Sequence, residues 1–576
     1  MSGALALPFF QRGIVEILLL AALAAVVGTW VVLRGLSFFA HAAGTATVPG
    51  LVLADGLGFS PLLGALGAAL VAALAVGLVA GRRSVGTDSA TALVLAGALA
   101  AGVILASDLF ASQGRIDRLL FGSLLAVGPG ELAATFAVLA AAAAATFFLG
   151  PRWLGNGFGG RPAFSSRGAD LALVLLVAVA VVATLAVVGA LLVAAILVLP
   201  AATTRLFTAR VPSWQLATGA LAAVEGIAGM FLALGLNVPP GAMIAVLAGV
   251  VFAIAAVLRW AAGRAGRAPA VAAVAAVLAV IAAGCSGSTG GPADGPTEVT
   301  ATTTQVADIV REVGGRTVDV TQILRPNSEA HDYEPLPGDV AGVADSRLVF
   351  ASGLGIDQWA RELVGQSGSE ARVIDLAAGL PVRLPAPGGG VDPHWWLDPR
   401  NVEAAATRVE RALVAADPSS RAQVTANARA YRARVRRVDR AIRACLAKVP
   451  AGRRKIVTDH DAFGYFTSRY GIRSVGAVFP SNSTQGQASA GDVARLEATI
   501  RRERVTAVFP EASLNADLAR RIARDTGATS EFTLNGDSLG APGSPSGTLL
   551  GAAQANAAAL AAGMSEGRVR CPVKSA

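Results

Sequence analysis

Over its first 267 residues the chain alternates between long apolar runs and short polar breaks; beyond them the apolar runs shorten and charged stretches separate them. About twenty consecutive apolar residues are needed to cross the hydrocarbon core of a bilayer as a helix. Runs of that kind at 13–33, 59–80, 89–107, 131–149, 170–188, 213–235 and 238–260 predict seven such helices, and the Gly/Pro-interrupted segments 38–56 and 190–206 predict two more. Nine crossings are therefore expected. Small residues dominate them, as at Gly64–Ala69 and Ala140–Ala145. Inside lipid, helices associate by close packing, which small side chains permit. The pattern predicts a polytopic α-helical bundle occupying residues 1–262, rather than a set of isolated anchors.

The second half reads differently. Thr317–Leu324, Arg347–Ala351, Lys455–Thr458 and Val505–Phe509 are short, rich in β-branched residues and bounded by turn formers, the signature of strands. Helical patterns lie between them. From Ser419 to Lys448 there is no Gly or Pro, and Asp417-Pro418 supplies a start signal. This predicts a long rigid helix over 419–448, linking two α/β lobes at 298–415 and 452–570 within a domain spanning 298–576.

Charge sharpens the division. The whole chain is 54% hydrophobic and 15% charged, against roughly 25% charged for an ordinary soluble domain. Residues 1–267 hold 14 Arg, no Lys and 8 acids, whereas residues 268–576 hold 34 basic and 31 acidic residues. So apolar a chain is not disordered, and three cysteines cannot make a disulfide-dense scaffold. The net charge of +9 does not indicate nucleic-acid binding, because most of it is Arg between apolar runs and no basic stripe is interleaved with aromatics. With nine crossings, Arg34, Arg82, Arg83, Arg152, Arg161, Arg167, Arg205, Arg210, Arg259, Arg264 and Arg267 fall on one side, and only Arg12, Arg115 and Arg118 on the other. The positive-inside rule makes the first side cytoplasmic. Ionisable residues within spans are functional suspects. His41 and Glu225 are candidates for a cation path; alternatively Glu225 is protonated or hydrogen-bonded and His41 lies near an interface.

At the junction, 263–285, an apolar run from Ala268 to Ala283 follows the three Arg of residues 259–267 and ends in Gly284-Cys285. A basic region, a short apolar run and small residues before a Cys resemble a bacterial lipoprotein signal. One outcome is cleavage and lipidation at Cys285; the other is a tenth span that tethers the second half of the chain. Either outcome places residues 286–576 outside the cytoplasmic membrane. Residues 286–297 read as a flexible Gly/Ser/Pro linker with a mean reach of ~20 Å. In an oxidising compartment Cys445 and Cys571 are candidates for a disulfide, with two unpaired thiols as the alternative.

Only four histidines occur in the chain. Apart from His41 they are His331, His394 and His460, each in an acid-flanked loop near a predicted strand end. Imidazole is the commonest zinc ligand, and four ligands close a tetrahedral site. A fourth ligand should be a carboxylate or Cys. Asp537 is the best candidate, and Glu511, at the end of the strand Val505–Phe509, is the competitor or a supporting residue. Spacing alone equally allows three solvent-facing histidines.

Two sets of motifs resemble known families. Leu33–His41 followed by Pro49-Gly50, Leu120–Ser123, Val188–Ala202 and Pro239–Ala242 resemble ATP-binding-cassette permeases for zinc and manganese, over residues 10–262. That family often has an acid four residues before the His, where this chain has Ser37. His331-x-Tyr-Glu-Pro335, Asp392-Pro-His394-x-Trp-x-Asp-Pro399, the long helix, Asp459-His-Asp-Ala-Phe-Gly-Tyr465 and Asp537-Ser-Leu-Gly540 occur in the order seen in the solute-binding lipoproteins that feed such permeases, over 298–566. The resemblance implies a two-lobed α/β binding domain with His331, His394, His460 and Asp537 as metal ligands, two from each lobe. Histidine rather than Glu at position 460 points to Zn²⁺ over Mn²⁺. The His-rich loop of many zinc-binding members is absent from Pro385–Asp392. A site closed by four protein ligands lacks the open position a catalytic zinc needs.

The only lysines are Lys448, Lys455 and Lys574, and no Gly-x4-Gly-Lys-Ser/Thr loop is present. The expected partner is therefore a separate cytoplasmic ATPase docking around 150–169 and 200–212. The resemblance also implies a permease homodimer. The reading is a non-enzymatic permease fused to its own zinc-binding protein in a bacterial cytoplasmic membrane. The alternatives are manganese uptake, a membrane-anchored metal-binding adhesin that transports nothing, and a membrane zinc hydrolase, against which the lack of a His-Glu-x-x-His helix speaks.

Overall fold

The computed structural model describes residues 8–80, 87–105, 124, 127–157, 167–189, 193–265, 295–331, 333, 335–386, 390–479, 490–514 and 516–571. The chain divides near Gly290 into two compact units. The signal-like run 268–283, Cys285, Arg115, Arg118 and Leu120–Ser123 lie outside the described residues.

The first unit is wholly helical among its described residues: α1 (Pro8–Leu23), a π-helical turn (Ala24–Gly28), α2 (Thr29–Leu33), α3 (Ser37–Thr45), α4 (Val48–Leu57), α5 (Pro61–Ala80), α6 (Thr87–Ile104), α7 (Pro129–Gly157), α8 (Arg167–Val188), α9 (Val193–Arg205), α10 (Val211–Leu236) and α11 (Pro240–Ala265). Among the described residues, seven stretches are long and apolar enough to cross a membrane: Phe10–Leu33, Ser37–Ala54, Pro61–Val79, Pro129–Gly155, Gly168–Leu185, Val211–Leu236 and Pro240–Ala261. The segment expected at 38–56 is among them, although it breaks into α3 and α4 at Ala46-Thr47. The segments expected at 89–107 and 190–206 appear as shorter apolar helices, Thr87–Gly102 and Ala195–Arg205. Gly189, at a φ of 83°, ends α8 in a left-handed turn, and α9 carries Pro200 in its interior.

Glycine decides how closely these helices approach. A Cβ on Gly50 of α4 would lie 2.0 Å from the Gly64 carbonyl oxygen, and one on Gly64 of α5 would lie 2.1 Å from that of Gly50. The α4–α5 crossing thus depends on two missing methyl groups, as expected where helices pack without a hydrophobic drive. Gly28, in the π-helical turn, makes the same approach to the Leu197 carbonyl of α9.

The second unit holds two parallel sheets. In chain order it contains β1 (Thr297–Ala301), α12 (Thr304–Gly314), β2 (Val318–Gln322), α13 (Pro337–Ala344), β3 (Leu348–Ala351), α14 (Trp359–Ser367), β4 (Arg372–Asp375), α15 (Pro399–Ala416), α16 (Arg421–Leu446), β5 (Lys455–His460), α17 (Gly464–Tyr470), β6 (Arg473–Phe479), α18 (Ala490–Glu503), β7 (Val508–Phe509), α19 (Asp517–Thr526) and α20 (Leu549–Met564). The first sheet has the order β2-β1-β3-β4 and the second β6-β5-β7. Helices join the parallel strands, with α12 packed on the first sheet and α17, α18 and α19 on the second.

The long helix is α16. Asp417 caps the 3₁₀ turn Pro418–Ser420 that leads into it, accepting a hydrogen bond from the Ser419 N–H at 3.0 Å. Its buried residues Val424, Ala428, Tyr431, Val435, Ile442 and Leu446 lie three, four or seven apart, forming one apolar stripe on an Arg-rich helix. That stripe packs on α12, α15 and α20, in a core continuous through both lobes. At its end Cys445 is disulfide-bonded to Cys571, with Cα atoms 5.7 Å apart.

Candidate metal centre

Four loops or strand ends bring the site together. His331 lies beyond β2, His394 immediately before the 3₁₀ turn Trp395–Leu397, and His460 is the last residue of β5. Asp537 follows Leu534, whose backbone bridges to Glu511. Ligand sites in open parallel sheets form beyond the carboxyl ends of strands, where chain directions diverge. Here two such sheets supply two residues each.

One ligand atom from each of His331, His394, His460 and Asp537 lies within 4.8 Å of all the others. The Nε2 atoms converge on the Asp537 carboxylate. His331 and His460 stand 3.3 and 3.2 Å from Oδ2, and His394 stands 3.1 Å from Oδ1. His394 Nε2 is 3.2 Å from that of His331 and 3.3 Å from that of His460. A tetrahedral ion held at 2.0–2.1 Å spaces its ligand atoms about 3.3 Å apart. These five separations are close to that length. Three imidazoles and a carboxylate form a donor set suited to a divalent metal. The side chains of His394, His460 and Asp537 are fully buried, and that of His331 is 8% exposed.

Electrostatics singles out Asp537 as the anion of the group. Burial opposes its ionisation, but the charges of His460, His331 and His394 hold it well below the usual carboxylate range. Neighbouring acids go the other way: burial, then the charge of Asp537, raises Glu329, and burial raises Asp459 to about 7. Burial pulls His394 down, but Asp537 and Asp392 carry it up to about 9. His460 rises well above its ordinary value, with Glu511 and Asp537 outweighing burial. Without metal, the ionised Asp537 faces two imidazoles, His394 and His460, whose protonated forms it favours.

Of the two candidates for the fourth position, the structure brings Asp537 into the cluster and puts Glu511 on the far side of His460. Glu511 Oε1 lies 2.7 Å from His460 Nδ1, a contact defined by distance rather than by alignment of the ring N–H. Asp392 does the same for His394, accepting from its backbone N–H at 3.0 Å and standing 2.7 Å from its Nδ1. Sequence reasoning passed over Asp392, although an acid two residues before a histidine was a signal that could have found it.

In the first unit, His41 is exposed on α3, while Glu225 on α10 is buried with no hydrogen-bond partner for either carboxylate oxygen. The structure does not bring the two together in a described cluster. A further buried acid, Glu16 on α1, accepts a 2.8 Å hydrogen bond from Thr135 of α7. It sits one turn inside the first apolar run, where the run's hydrophobicity masked it.

A buried His3Asp cluster between two α/β lobes defines a binding domain for a divalent metal, carried on a chain whose other unit is built of membrane-length helices. Residues 299–563 match the family model described as zinc-uptake complex component A periplasmic (ZnuA). Residues 6–259 match that of the ABC 3 transport family. The chain is an ABC-3 permease region fused to a ZnuA-type solute-binding domain. Among curated proteins, the iron-binding protein YfeA of Yersinia pestis is 29% identical over 245 residues, covering 42% of this chain and 78% of that one. The manganese-binding lipoprotein MntA of Halalkalibacterium halodurans is 28% identical over 261 residues, 45% of this chain and 86% of that one. The zinc-binding protein TroA of Treponema pallidum is 29% identical over 266 residues, again 45% and 86%. The two halves are thus non-enzymatic components of ABC metal uptake.

Proposed function

We propose that this chain captures Zn²⁺ outside the cytoplasmic membrane and passes it through its own permease. The observation that carries the reading is the buried His331–His394–His460–Asp537 cluster on the same polypeptide as an ABC-3 region. Fusion raises the local concentration of the loaded domain at its own pore. Nine crossings, with the two shorter apolar helices counted, put the Arg-rich loops in the cytoplasm and residues 286–576 outside. The Cys445–Cys571 disulfide supports that placement, since such bonds persist in oxidising compartments. Cys285 is the lipid attachment point, or the run before it is a tether. A separate ATPase docks on the cytoplasmic loops of a permease dimer, and Glu225, with His41, contributes to the cation path.

Zinc is the favoured cargo because three imidazoles outnumber one carboxylate. Manganese or iron is the second reading, which the relatives described as manganese-binding and iron-binding favour. Competition of Zn²⁺ and Mn²⁺ for the detergent-solubilised full chain, wild type and His460→Glu, tests the choice. Tighter Zn²⁺ binding by the wild type and a shift toward Mn²⁺ in the variant are expected. Tighter Mn²⁺ binding by the wild type would overturn the zinc assignment.

A further inference from the structure

The two most buried histidines of the cluster share an arrangement. Each has its Nε2 toward Asp537 and its Nδ1 against a carboxylate that belongs to its own lobe. In the first lobe this is Asp392, hydrogen-bonded at 2.7 Å, and in the second Glu511, 2.7 Å away but not aligned with the ring N–H. Both acids are almost completely buried. Both are also held from behind. Asp392 accepts the His394 backbone N–H, and its own N–H donates to the Leu384 carbonyl at 2.9 Å. The Glu511 N–H donates to Asp459 Oδ2 at 2.7 Å. Its Oε2 would lie 2.2 Å from a Cβ on Gly536, so the residue preceding Asp537 must stay small for Glu511 to reach His460. Glu511 therefore touches one ligand of the second lobe, His460, and lies against the residue preceding the other.

An imidazole binds a metal through a nitrogen that carries no proton, so the other nitrogen must carry it. A carboxylate placed at Nδ1 stabilises the proton there, leaves Nε2 as the donor, fixes the ring plane and makes the nitrogen more basic. We propose that Asp392 and Glu511 are a matched pair of positioning residues, one per lobe, that set the ligating tautomer of His394 and His460 and so bias the site toward Zn²⁺ over harder cations. The bias follows from donor chemistry. Zinc gains from a more basic imidazole, whereas manganese, which favours oxygen donors, gains less. This inference rests on the reading of the cluster as the capture site.

The test measures Zn²⁺ and Mn²⁺ affinity of the solubilised full chain by chelator competition for wild type, Glu511→Gln, Asp392→Asn, the double variant and His460→Ala. The amide replacements keep size but remove the charge, and their N–H can favour the wrong tautomer. Each single variant is expected to lose roughly 10–100-fold in Zn²⁺ affinity and less for Mn²⁺. The losses in the double variant should depart from additivity, because both rings share Asp537 and one ion. Asp392→Glu, which restores the charge, should recover part of the loss. Unchanged Zn²⁺ affinity, or an equal loss for both metals with their ratio preserved, would overturn the proposal. Should Glu511→Gln fail to fold, the Asp392 variants carry the same test. Failure of the capture reading itself looks different: His460→Ala would then bind Zn²⁺ like the wild type.

Discussion

Metal binding at this site should expel protons, and the number is set by the structure. Without metal, His394 titrates at about 9 and His460 above its ordinary value, both held protonated chiefly by Asp537 and the acid behind each ring. A ligating imidazole must be neutral. At pH 7 two protons therefore leave as the ion enters, while Asp537, already ionised, neither gains nor loses one. Deprotonating His394 alone at pH 7 costs roughly 3 kcal/mol, from two pH units at 1.36 kcal/mol each. Apparent affinity should rise with pH through neutrality, the His394 contribution levelling off near pH 9. The metal-free fold has the opposite dependence. A histidine whose folded pKa is raised stabilises the fold below its unfolded value of about 6.5, and that contribution is lost as pH rises through about 9. Calorimetry of Zn²⁺ binding at pH 7, in buffers of different ionisation enthalpy, counts the protons. Two are expected, and release of none would refute the electrostatic account.

Three further outcomes rest on particular contacts. Asp537→Asn removes the charge shared by three rings, so His394 should titrate well below 9 by NMR and Zn²⁺ capture should be lost. Replacing Cys445 and Cys571 with Ser opens a crosslink spanning 126 residues; in the chain-entropy picture this costs up to about 5 kcal/mol, readable as a lower unfolding midpoint of the second unit. Gly64→Ala places a methyl 2.1 Å from the Gly50 carbonyl and should lower the melting temperature of the solubilised chain, whereas Gly67→Ala, with nothing within 4 Å, should not.

The long apolar runs were legible because membrane helices advertise themselves by length. The histidines were legible because the residue is rare here and His331, His394 and His460 each sit in an acid-flanked loop. Three strands were not foreseen. β1 is Thr-Glu-Val-Thr-Ala, only partly apolar and opening on the last residue of the expected linker; β4 is four residues long; and β6 is interrupted by Gly476, near an irregular register with β5. Their pairing comes from tertiary contacts that no local pattern records. The helix at 421–446 was visible from its lack of Gly and Pro, but its many Arg hid the stripe that anchors it in the core. For the fourth ligand the sequence favoured Asp537 over Glu511 without placing either against the histidines. The path of the backbone separates them, turning one carboxylate toward Nε2 and the other toward Nδ1 of His460.

The account joins capture and permeation in one chain. The most direct measurement is ATP-dependent accumulation of radioactive zinc by membrane vesicles that contain the full chain with its ATP-binding partner, for the wild type, Asp537→Ala and Glu225→Gln, alongside Zn²⁺ binding by each. The wild type should accumulate zinc. Asp537→Ala should lose both binding and accumulation, and Glu225→Gln should lose accumulation alone. Accumulation by Asp537→Ala at the wild-type rate would contradict the account.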